Sequence, residues 1–292
     1  MAQEVEEEHV ESLSMGNDLQ VKNFIWSEEE WPAINYDDFA DGDDIPVISF
    51  RGVCDWQKNR DYQNLCEAMV TACSNWGFFK LVDHGVALET IDKFKFRLNE
   101  LFDLPMEKKM KGGRSVSLPL GYSATNPEYG KNLPWAEIVQ LLQSPQQVVA
   151  FAAKVFGDQH QPFSNAMIEY MQELDKLGMR IFEMLAHGLG LQEDFFTRNF
   201  EEKDATMIRA WTNGRLKSVV HRVVNKEKQG LSAAYFLSPT SSAIIQCPPK
   251  LLDPGTNSRK YTPFTWEDFR KELLVQKRVL GKTALNRYLI SN

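Results

Sequence analysis

Histidine side chains are the first candidates for chemistry in this sequence, because a neutral imidazole can ligate a metal and can transfer a proton near neutral pH. Five histidines are present. His221 stands in an apolar run rich in β-branched residues, where a histidine that only completes a strand is the simplest interpretation. His9 is the only histidine followed two positions later by an acid, in the triplet His9-Val10-Glu11 of an acidic N-terminal segment. The histidines by themselves therefore indicate no paired metal site.

The other three histidines have ordinary structural interpretations. His84 fits a turn after a strand, and His160 stands beside Gln161-Pro162 in a connection. His187 lies near the predicted end of a helix, where the negative end of the helix dipole favours a cation.

Cysteines also indicate no site. They show neither a CxxC spacing nor a dense pattern, which argues against a disulfide framework and against a cysteine-based zinc site. We predict reduced thiols that lie mostly in the core. The four cysteines are Cys54, Cys66, Cys73 and Cys247.

Charge and hydropathy limit the possible partners. The net charge is -7 and the sequence pI is about 5.4, with no basic stripe, which argues against a nucleic acid or an anionic membrane as partner. A small molecule or a protein is the more consistent partner. The chain begins with an acidic segment, and it nowhere has ~18 consecutive apolar residues, so we expect a cytoplasmic protein.

Helices and strands alternate along the chain, and most helices fall in the first two thirds. Apolar residues at spacings of three and four predict the helices, and short β-branched or aromatic runs predict the strands. Residues 112–134 are rich in Gly, Ser, Pro and Asn, which indicates a long loop. The predicted helices are 61–76, 88–102, 164–188 and 265–279, and the predicted strands are 45–50, 78–82, 217–224 and 231–237.

Motif residues are spread over almost the whole chain. The segments Trp76–Val86, Leu101–Lys109 and Trp211–Val223 resemble, in that order, the WGFF…NHGV, FFxLPxEEK and SNGxxKSVxHRV motifs of the plant Fe(II)/2-oxoglutarate-dependent dioxygenases. Ile45–Ile48 is similar to the first strand of that family, and Ser232–Pro239 is similar to the strand that ends its core. The resemblance covers nearly the whole chain outside the acidic N-terminal segment.

A further segment resembles one branch of the family. Leu133-Pro134-Trp135 with Glu137 is similar to the LPWKET motif of gibberellin 20-oxidases. The resemblance implies Fe(II) and 2-oxoglutarate as cofactors and the oxidation or hydroxylation of a small plant metabolite, such as a gibberellin. It also implies that Trp135 contacts the substrate.

The family's chemistry requires a particular set of residues. Two histidines and one carboxylate hold the iron on one face, and other positions stay open for 2-oxoglutarate and oxygen. An Arg-x-Ser pair binds the far carboxylate of 2-oxoglutarate, because a guanidinium can donate two charge-assisted hydrogen bonds. The resemblance places His221 at the distal iron ligand and Ser232 at the serine of that pair, whereas Gly230 stands in place of the arginine.

The family's His-x-Asp pair is missing as well. Upstream of His221, where the pair belongs, the chain reads Met207-Ile208-Arg209-Ala210-Trp211. Relative to the family, the resemblance predicts an internal deletion near Ala210 of roughly 60 to 70 residues, enough for several strands of the core. We therefore expect poor binding of iron and 2-oxoglutarate, no catalytic residue, and an inactive protein.

These predictions combine into a mixed α+β fold. Its helical N-terminal region precedes a double-stranded β-helix, or jelly-roll, core that lacks several strands. Loss of those strands should expose apolar surface and unpaired strand edges. The predicted divisions are a disordered acidic arm at residues 1–20, an N-terminal dioxygenase region at 21–158, and a linking helix with the truncated core at 159–292.

The sequence leaves three hypotheses about function open. The chain is a dioxygenase by descent, whose ancestral reaction oxidises a small plant metabolite. Alternatively, it is a non-catalytic isoform that uses its N-terminal helices to bind a ligand or a partner. The third hypothesis is a splice or gene-model product that has no stable fold.

Overall fold

The computed structural model describes residues 44–53, 60–113, 120–123, 137–199, 208–219, 230–237, 239–253, 255, 257–275 and 284–290. Helices and short strands alternate within them, which confirms the mixed composition. The helices are α1 (Arg60–Asn75), α2 (Leu88–Phe102), α3 (Met106–Lys111), α4 (Pro145–Phe156), α5 (Gln161–Gly188), α6 (Ile208–Trp211) and α7 (Trp266–Val275). The strands are β1 (Val47–Ser49), β2 (Lys80–Val82), β3 (Tyr122–Ser123), β4 (Ile138–Val139), β5 (Ile244–Ile245) and β6 (Phe264–Thr265).

Helix α1 and the parallel pair β1–β2 form where the sequence predicts them, but the strands are shorter. Gly77 follows α1 with a φ of 79°, a left-handed conformation that lets the chain turn towards β2. The Lys80 N–H donates to the Pro46 carbonyl over 2.8 Å, so the strand predicted at 78–82 begins at Lys80. The paired residues are Val47 with Lys80, Ile48 with Leu81, and Ser49 with Val82.

Helix α5 has 28 residues and begins three positions before the predicted Ser164. Pro162 occupies its first turn, where the missing N–H of a proline breaks no hydrogen bond. Ser164 is therefore an internal residue, and its hydroxyl donates to the His160 carbonyl over 3.0 Å. None of the described helices, α5 included, combines the length and the apolar character that crossing a bilayer requires.

One compact unit contains the described residues 87–113, 120–123, 137–172 and 230–232. It includes α2, which has the predicted bounds, together with α3, the antiparallel pair β3–β4, α4 and α5 up to Gln172. Apolar side chains from these helices and from β3 form its core, because each helix has one apolar face. The buried members are Leu98, Leu101, Tyr122, Val148, Phe151, Ala152, Val155, Phe163, Ala166 and Met167.

A buried ion pair joins α3 to the residue that precedes β4 in this unit. The side chains of Lys109 and Glu137 are 2% and 11% exposed. Lys109 Nζ donates to the two carboxylate oxygens of Glu137, at 2.8 and 3.0 Å, and to the Phe102 carbonyl at 2.8 Å. The Tyr122 hydroxyl donates to Glu137 Oε1 over 2.6 Å, and burial, with the nearby carboxylate, raises the pKa of this phenol. Each charge thus has several partners that offset its removal from water.

The second compact unit contains the described residues 44–53, 60–86, 173–199, 208–219, 233–237, 239–253, 255, 257–275 and 284–290. Its core combines aromatic side chains that are far apart in sequence, namely Phe182, Phe196, Trp211, Phe264, Trp266 and Phe269. Cys66, Cys73 and Cys247 are buried and free, as predicted, whereas Cys54 lies outside the described residues. Burial raises the pKa of Cys66 and that of Cys73 to about 11.

Among the described residues of the C-terminal third, the two predicted strands do not form, whereas β5 and β6 form where the sequence predicts none. Of the strands predicted at 217–224 and 231–237, the described residues 217–219 and 231–237 belong to no strand, and 220–224 lie outside the described residues. β-Branched runs become strands only where a partner strand packs beside them. The sheets in the described part of the chain are three two-stranded pairs, of which β5–β6 is antiparallel. Helix α7 begins one residue after its predicted start.

Helices α1 and α5 approach each other closely at Gly188. A Cβ atom at this position would lie 2.5 Å from the carbonyl oxygen of Cys66 and 2.8 Å from its carbonyl carbon. Backbone atoms cannot rotate away as a flexible side chain can. This contact therefore requires glycine at residue 188.

We expect Gly188→Ala to lower the free energy of unfolding by about 1–3 kcal/mol, because the added methyl group overpacks the contact with α1. Gly255→Ala is the matched control, since its Cβ would lie 3.6 Å from the nearest atom, an ordinary contact, and it should change stability by less than about 0.5 kcal/mol. Urea unfolding monitored by circular dichroism measures both variants. Equal midpoints for the two would contradict the close approach.

We expect Lys109→Met to lower the free energy of unfolding by about 3–5 kcal/mol, because it leaves the Glu137 carboxylate buried without its cation. The double variant Lys109→Met/Glu137→Gln should lose less, since a neutral amide leaves no buried charge and its oxygen can still accept from Tyr122. Denaturant titration at neutral pH compares the two proteins. A double variant that is less stable than the single variant would rule out this account of the pair.

Candidate active site

Only part of the predicted site falls on described residues. His221 lies in the interval 220–229 and Trp135 in the interval 124–136, both outside the described part of the chain. Ser232 is described, and it is exposed and belongs to no helix or strand. Gly230, which stands in place of the family's arginine, has no atom within 4 Å of an added Cβ. Ser232 and Gly230 are thus exposed, and the roles of His221 and Trp135 stay predictions.

The motif segment Trp211–Val223 contains a tight turn near its start. Asn213 and Gly214 have φ values of 54° and 81°, a conformation that Asn and Gly adopt more readily than other residues. The Asn213 side chain is 1% exposed, and its amide donates to Asn257 Oδ1 and to the Ser258 carbonyl, both over 2.9 Å. Its oxygen accepts from the Lys260 N–H over 2.8 Å. Asn213 therefore has a structural role, which is to join this turn to residues 257–260.

The same segment packs at the end of α1, where the motif segment Trp76–Val86 begins. The Lys217 N–H donates to the Cys73 carbonyl, and Lys217 Nζ donates to the Asn75 carbonyl, each over 3.0 Å. A Cβ on Gly77 would lie 2.8 Å from Val219 Cγ1 and 3.0 Å from the Lys217 carbonyl oxygen. The structure thus brings together two of the motifs that carry the family resemblance, and it leaves no room for a side chain at residue 77.

Of the segment expected in place of the His-x-Asp pair, the described residues 208–211 are helical. Helix α6 comprises Ile208–Trp211, and Trp211 is 2% exposed. Trp211 Nε1 donates to the Ile244 carbonyl over 3.3 Å, and its ring lies 5.9 Å from that of Phe196. These contacts give α6 a core-packing role in the second unit, with no side chain that could ligate iron.

The described histidines lie in the turn, the connection and the helix end that their sequence contexts predict, and each has a local partner. His84 Nδ1 accepts from the Val86 N–H over 3.2 Å in the turn after β2. His160 Nδ1 lies 3.2 Å from Ser164 Oγ, just before α5. His187 lies in the last turn of α5, with Nδ1 3.3 Å from Glu193 Oε1. In the described ranges, no group of three or more His, Cys, Asp or Glu side chains could hold a metal ion. The described residues therefore do not fit a site with two histidines and one carboxylate.

Two structural features of the motifs were not predicted from the sequence. The Asn-Gly pair at 213–214 is a recognised turn signal, so the turn could have been found. The contact of Lys109 with Glu137 gives no local signal, because the residues are 28 positions apart. Glu137 follows Trp135 by two positions, so the ion pair fixes the chain immediately after the predicted substrate contact.

Sequence comparisons find similarity to known dioxygenases. Residues 45–161 match the model of the non-haem dioxygenase in morphine synthesis N-terminal family. Gibberellin 20 oxidase 1 of Arabidopsis thaliana is 26% identical to this chain over an alignment of 316 positions. The alignment covers 84% of this chain and 82% of the relative. Flavanone 3-dioxygenase of Petroselinum crispum is 28% identical over 186 residues, covering 63% of this chain and 49% of the relative.

Structural comparisons find the same class of fold. JOX2 in complex with 2OG, Fe and JA aligns with a TM-score of 0.66 and 24% identity, over 85% of this chain and 89% of that protein. The rice dioxygenase for auxin oxidation aligns with a TM-score of 0.62 and 19% identity, over 84% of this chain and all of that protein. The likeness shows the fold of a 2-oxoglutarate oxygenase. Together with the sequence relatives, it shows that the chain is similar to the plant 2-oxoglutarate-dependent dioxygenases and, among them, to the gibberellin oxidases.

Proposed function

We propose that this chain is a shortened member of its family that lacks a working iron and 2-oxoglutarate centre and does not catalyse oxidation. One observation carries the proposal. The alignment with gibberellin 20 oxidase 1 has 316 positions but includes 84% of the 292 residues here, about 245. About 70 positions of that relative thus have no counterpart in this chain, which agrees in size with the gap inferred near Ala210.

The described geometry supports the same location for the gap. Helix α6 ends at Trp211, and the turn at Asn213 follows directly. The chain therefore passes from a core helix into the motif segment with no strand between them that could present a His-x-Asp pair. A gap of this size corresponds to several strands of ~5–6 residues with their turns. In this proposal the jelly-roll core is incomplete, and His221 is a remnant of the distal iron ligand.

The residues at the predicted 2-oxoglutarate anchor also support the proposal. Gly230 carries no charge, an added Cβ there would have no atom within 4 Å, and Ser232 is exposed. A single hydroxyl in contact with water cannot replace a guanidinium that donates two charge-assisted hydrogen bonds. Loss of a buried charged contact of that kind typically costs about 2–5 kcal/mol of binding free energy.

The remaining assignments belong to the same proposal. The ancestral substrate is a small plant metabolite of the gibberellin class, contacted by Trp135, and the chain divides into the regions 1–20, 21–158 and 159–292. Similarity to the gibberellin 20 oxidases supports the substrate class. A cytoplasmic location agrees with the free thiols of Cys66, Cys73 and Cys247.

Binding of Fe(II) and 2-oxoglutarate by the purified chain is the direct test. We expect no stoichiometric binding of either in anaerobic calorimetry, and no succinate release under air, because the ligand set and the arginine are missing. Gibberellin 20 oxidase 1 of Arabidopsis thaliana serves as the positive control. A cooperative thermal melt on the same sample shows that the protein is folded. Tight binding of one Fe(II) per chain would overturn the proposal, and a sample without a melt would instead indicate a product that does not fold.

Restoring the arginine alone should not restore activity. We expect Gly230→Arg to fold like the unaltered chain, because its side chain meets open space, and to release no succinate from 2-oxoglutarate. Gly230→Ala is the matched control for the loss of glycine. Both variants are compared by thermal melting and by succinate assay with added Fe(II). Measurable turnover by Gly230→Arg would mean that this chain already has a complete iron site.

A further inference from the structure

A phenol and an ammonium group lie over the tight turn at Asn213 and Gly214. A Cβ atom on Gly214 would lie 3.9 Å from the Tyr261 hydroxyl oxygen and 4.0 Å from Lys260 Nζ. Outside the neighbouring residues in the chain, no other described atom would lie within 4 Å of it. A glycine lets a ligand approach the backbone closely, so two hydrogen-bond donors face a small space that a ligand can enter.

The Tyr261 side chain is buried, whereas its hydroxyl has no hydrogen-bond partner in the described part of the chain. The residue is 8% exposed and belongs to the core of the second unit. A buried tyrosine usually finds a partner for its hydroxyl. The hydroxyl oxygen itself is not enclosed, so a ligand over Gly214 can reach it.

Backbone hydrogen bonds fix both donors in place. The Lys260 N–H donates to Asn213 Oδ1 over 2.8 Å, and the Lys260 carbonyl accepts from the Ile290 N–H over 2.9 Å. Tyr261 forms an antiparallel bridge with Leu289. The turn and the segment that carries the donors are therefore joined to each other before a ligand binds, and such preorganisation lowers the cost of binding.

Positive charge accompanies these donors. Lys260 is exposed, and so is Arg215, the residue that follows Gly214. In the described structure, neither of these two side chains has an ion pair or a hydrogen bond. The backbone N–H groups of residues 213–215 all donate within the turn, so the donors available to a ligand are side chains. An anion is therefore the ligand that this arrangement favours.

We propose that the phosphate group of a small phosphate monoester binds over Gly214. Lys260 Nζ and the Tyr261 hydroxyl donate to its oxygens, and Arg215 supplies a second positive charge. A phosphate monoester carries a charge of about −1.5 to −2 at pH 7 and three strong acceptor oxygens, which suits two cations and a phenol. The site uses neither iron nor 2-oxoglutarate, so its test is independent of the proposed loss of catalysis.

Inorganic phosphate is the probe for the unaltered chain. We expect calorimetry at fixed ionic strength to show one phosphate per chain, and to show weaker binding of acetate, which has a single charge and two oxygens. A higher ionic strength should weaken phosphate binding, because exposed charges are screened. Absence of phosphate binding would overturn the proposal, and so would acetate that binds as tightly as phosphate.

Tyr261→Phe locates the site, because it removes only a hydroxyl that has no partner in the described part of the chain. We expect an unchanged melting temperature and phosphate binding that is weaker by about tenfold, since the variant loses a hydrogen bond to a charged group. Tyr288→Phe is the matched control, because it removes a hydroxyl of the same unit that does not lie within 4 Å of the Gly214 position. Equal phosphate affinity in the two variants would place phosphate elsewhere and overturn the assignment.

Lys260→Gln tests the charge. We expect phosphate binding to weaken roughly threefold, the usual contribution of an exposed ion pair. Lys271→Gln is the matched control, because it removes one exposed lysine of the same unit whose ammonium group pairs with Glu267 over 2.7 Å. If both variants bound phosphate as the unaltered chain does, Lys260 would not be a ligand and the proposed site would be wrong.

Phosphatidic acid vesicles distinguish a free phosphate monoester from a lipid headgroup, because this headgroup is itself a phosphate monoester. We expect the vesicles not to sediment the unaltered chain, since its net charge of -7 opposes approach to an anionic surface. Sedimentation that Tyr261→Phe abolishes would replace the small-molecule proposal with a membrane contact at the same residues.

Discussion

The backbone contact between Gly188 and Cys66 fixes how α1 packs on α5, and much of the second unit is arranged around that pair of helices. Because α1 is held there, the carbonyls of Cys73 and Asn75 near its end accept hydrogen bonds from the N–H and the ammonium group of Lys217. Gly77, directly after α1, then allows the segment at 217–219 to lie against it. One close approach between two helices thus supports the positions of two of the family motifs.

Motif residues in this chain fall into two physical classes. Gly77, Asn213, Lys109 and Glu137 are present and have packing or hydrogen-bonding roles in the described structure. The sequence contains no His-x-Asp triplet, and Gly230 stands where the resemblance predicts the 2-oxoglutarate arginine; in the family these residues concern only the bound groups. A fold survives the loss of ligand-binding residues far more easily than the loss of packing residues. Only the packing and hydrogen-bonding residues offset the entropy of ordering the chain.

Local sequence patterns predict the helices well where an apolar face ends at a strong stop. Helix α2 has its predicted bounds, and α1 differs by one residue at each end. Ser164 misleads because serine is common at a helix start, whereas the helix begins at Gln161 and Pro162 occupies its first turn. The strand predictions at 217–224 and 231–237 depend on partner strands, which no local pattern reports. Helix α4 was not predicted, although Pro145 stands at its first position and Gly157 follows its last. At the candidate site, the motif assigns Ser232 and Gly230, and their roles stay predictions. The burial of Asn213 and the pairing of Lys109 with Glu137 depend on tertiary contacts that no motif reports.

The residues on either side of the interval 124–136 are held in place by contacts with other elements. Ser123 pairs with Ile138 in β3–β4, and Glu137 is held by Lys109, so both ends of the interval are anchored whatever lies between them. The entropy of closing a loop grows only with the logarithm of its length, and doubling the length costs about 0.6 kcal/mol. A change in the number of residues between these two anchors therefore costs little free energy, so the spacing from Ser123 to Glu137 can vary while β3–β4 and the ion pair stay the same.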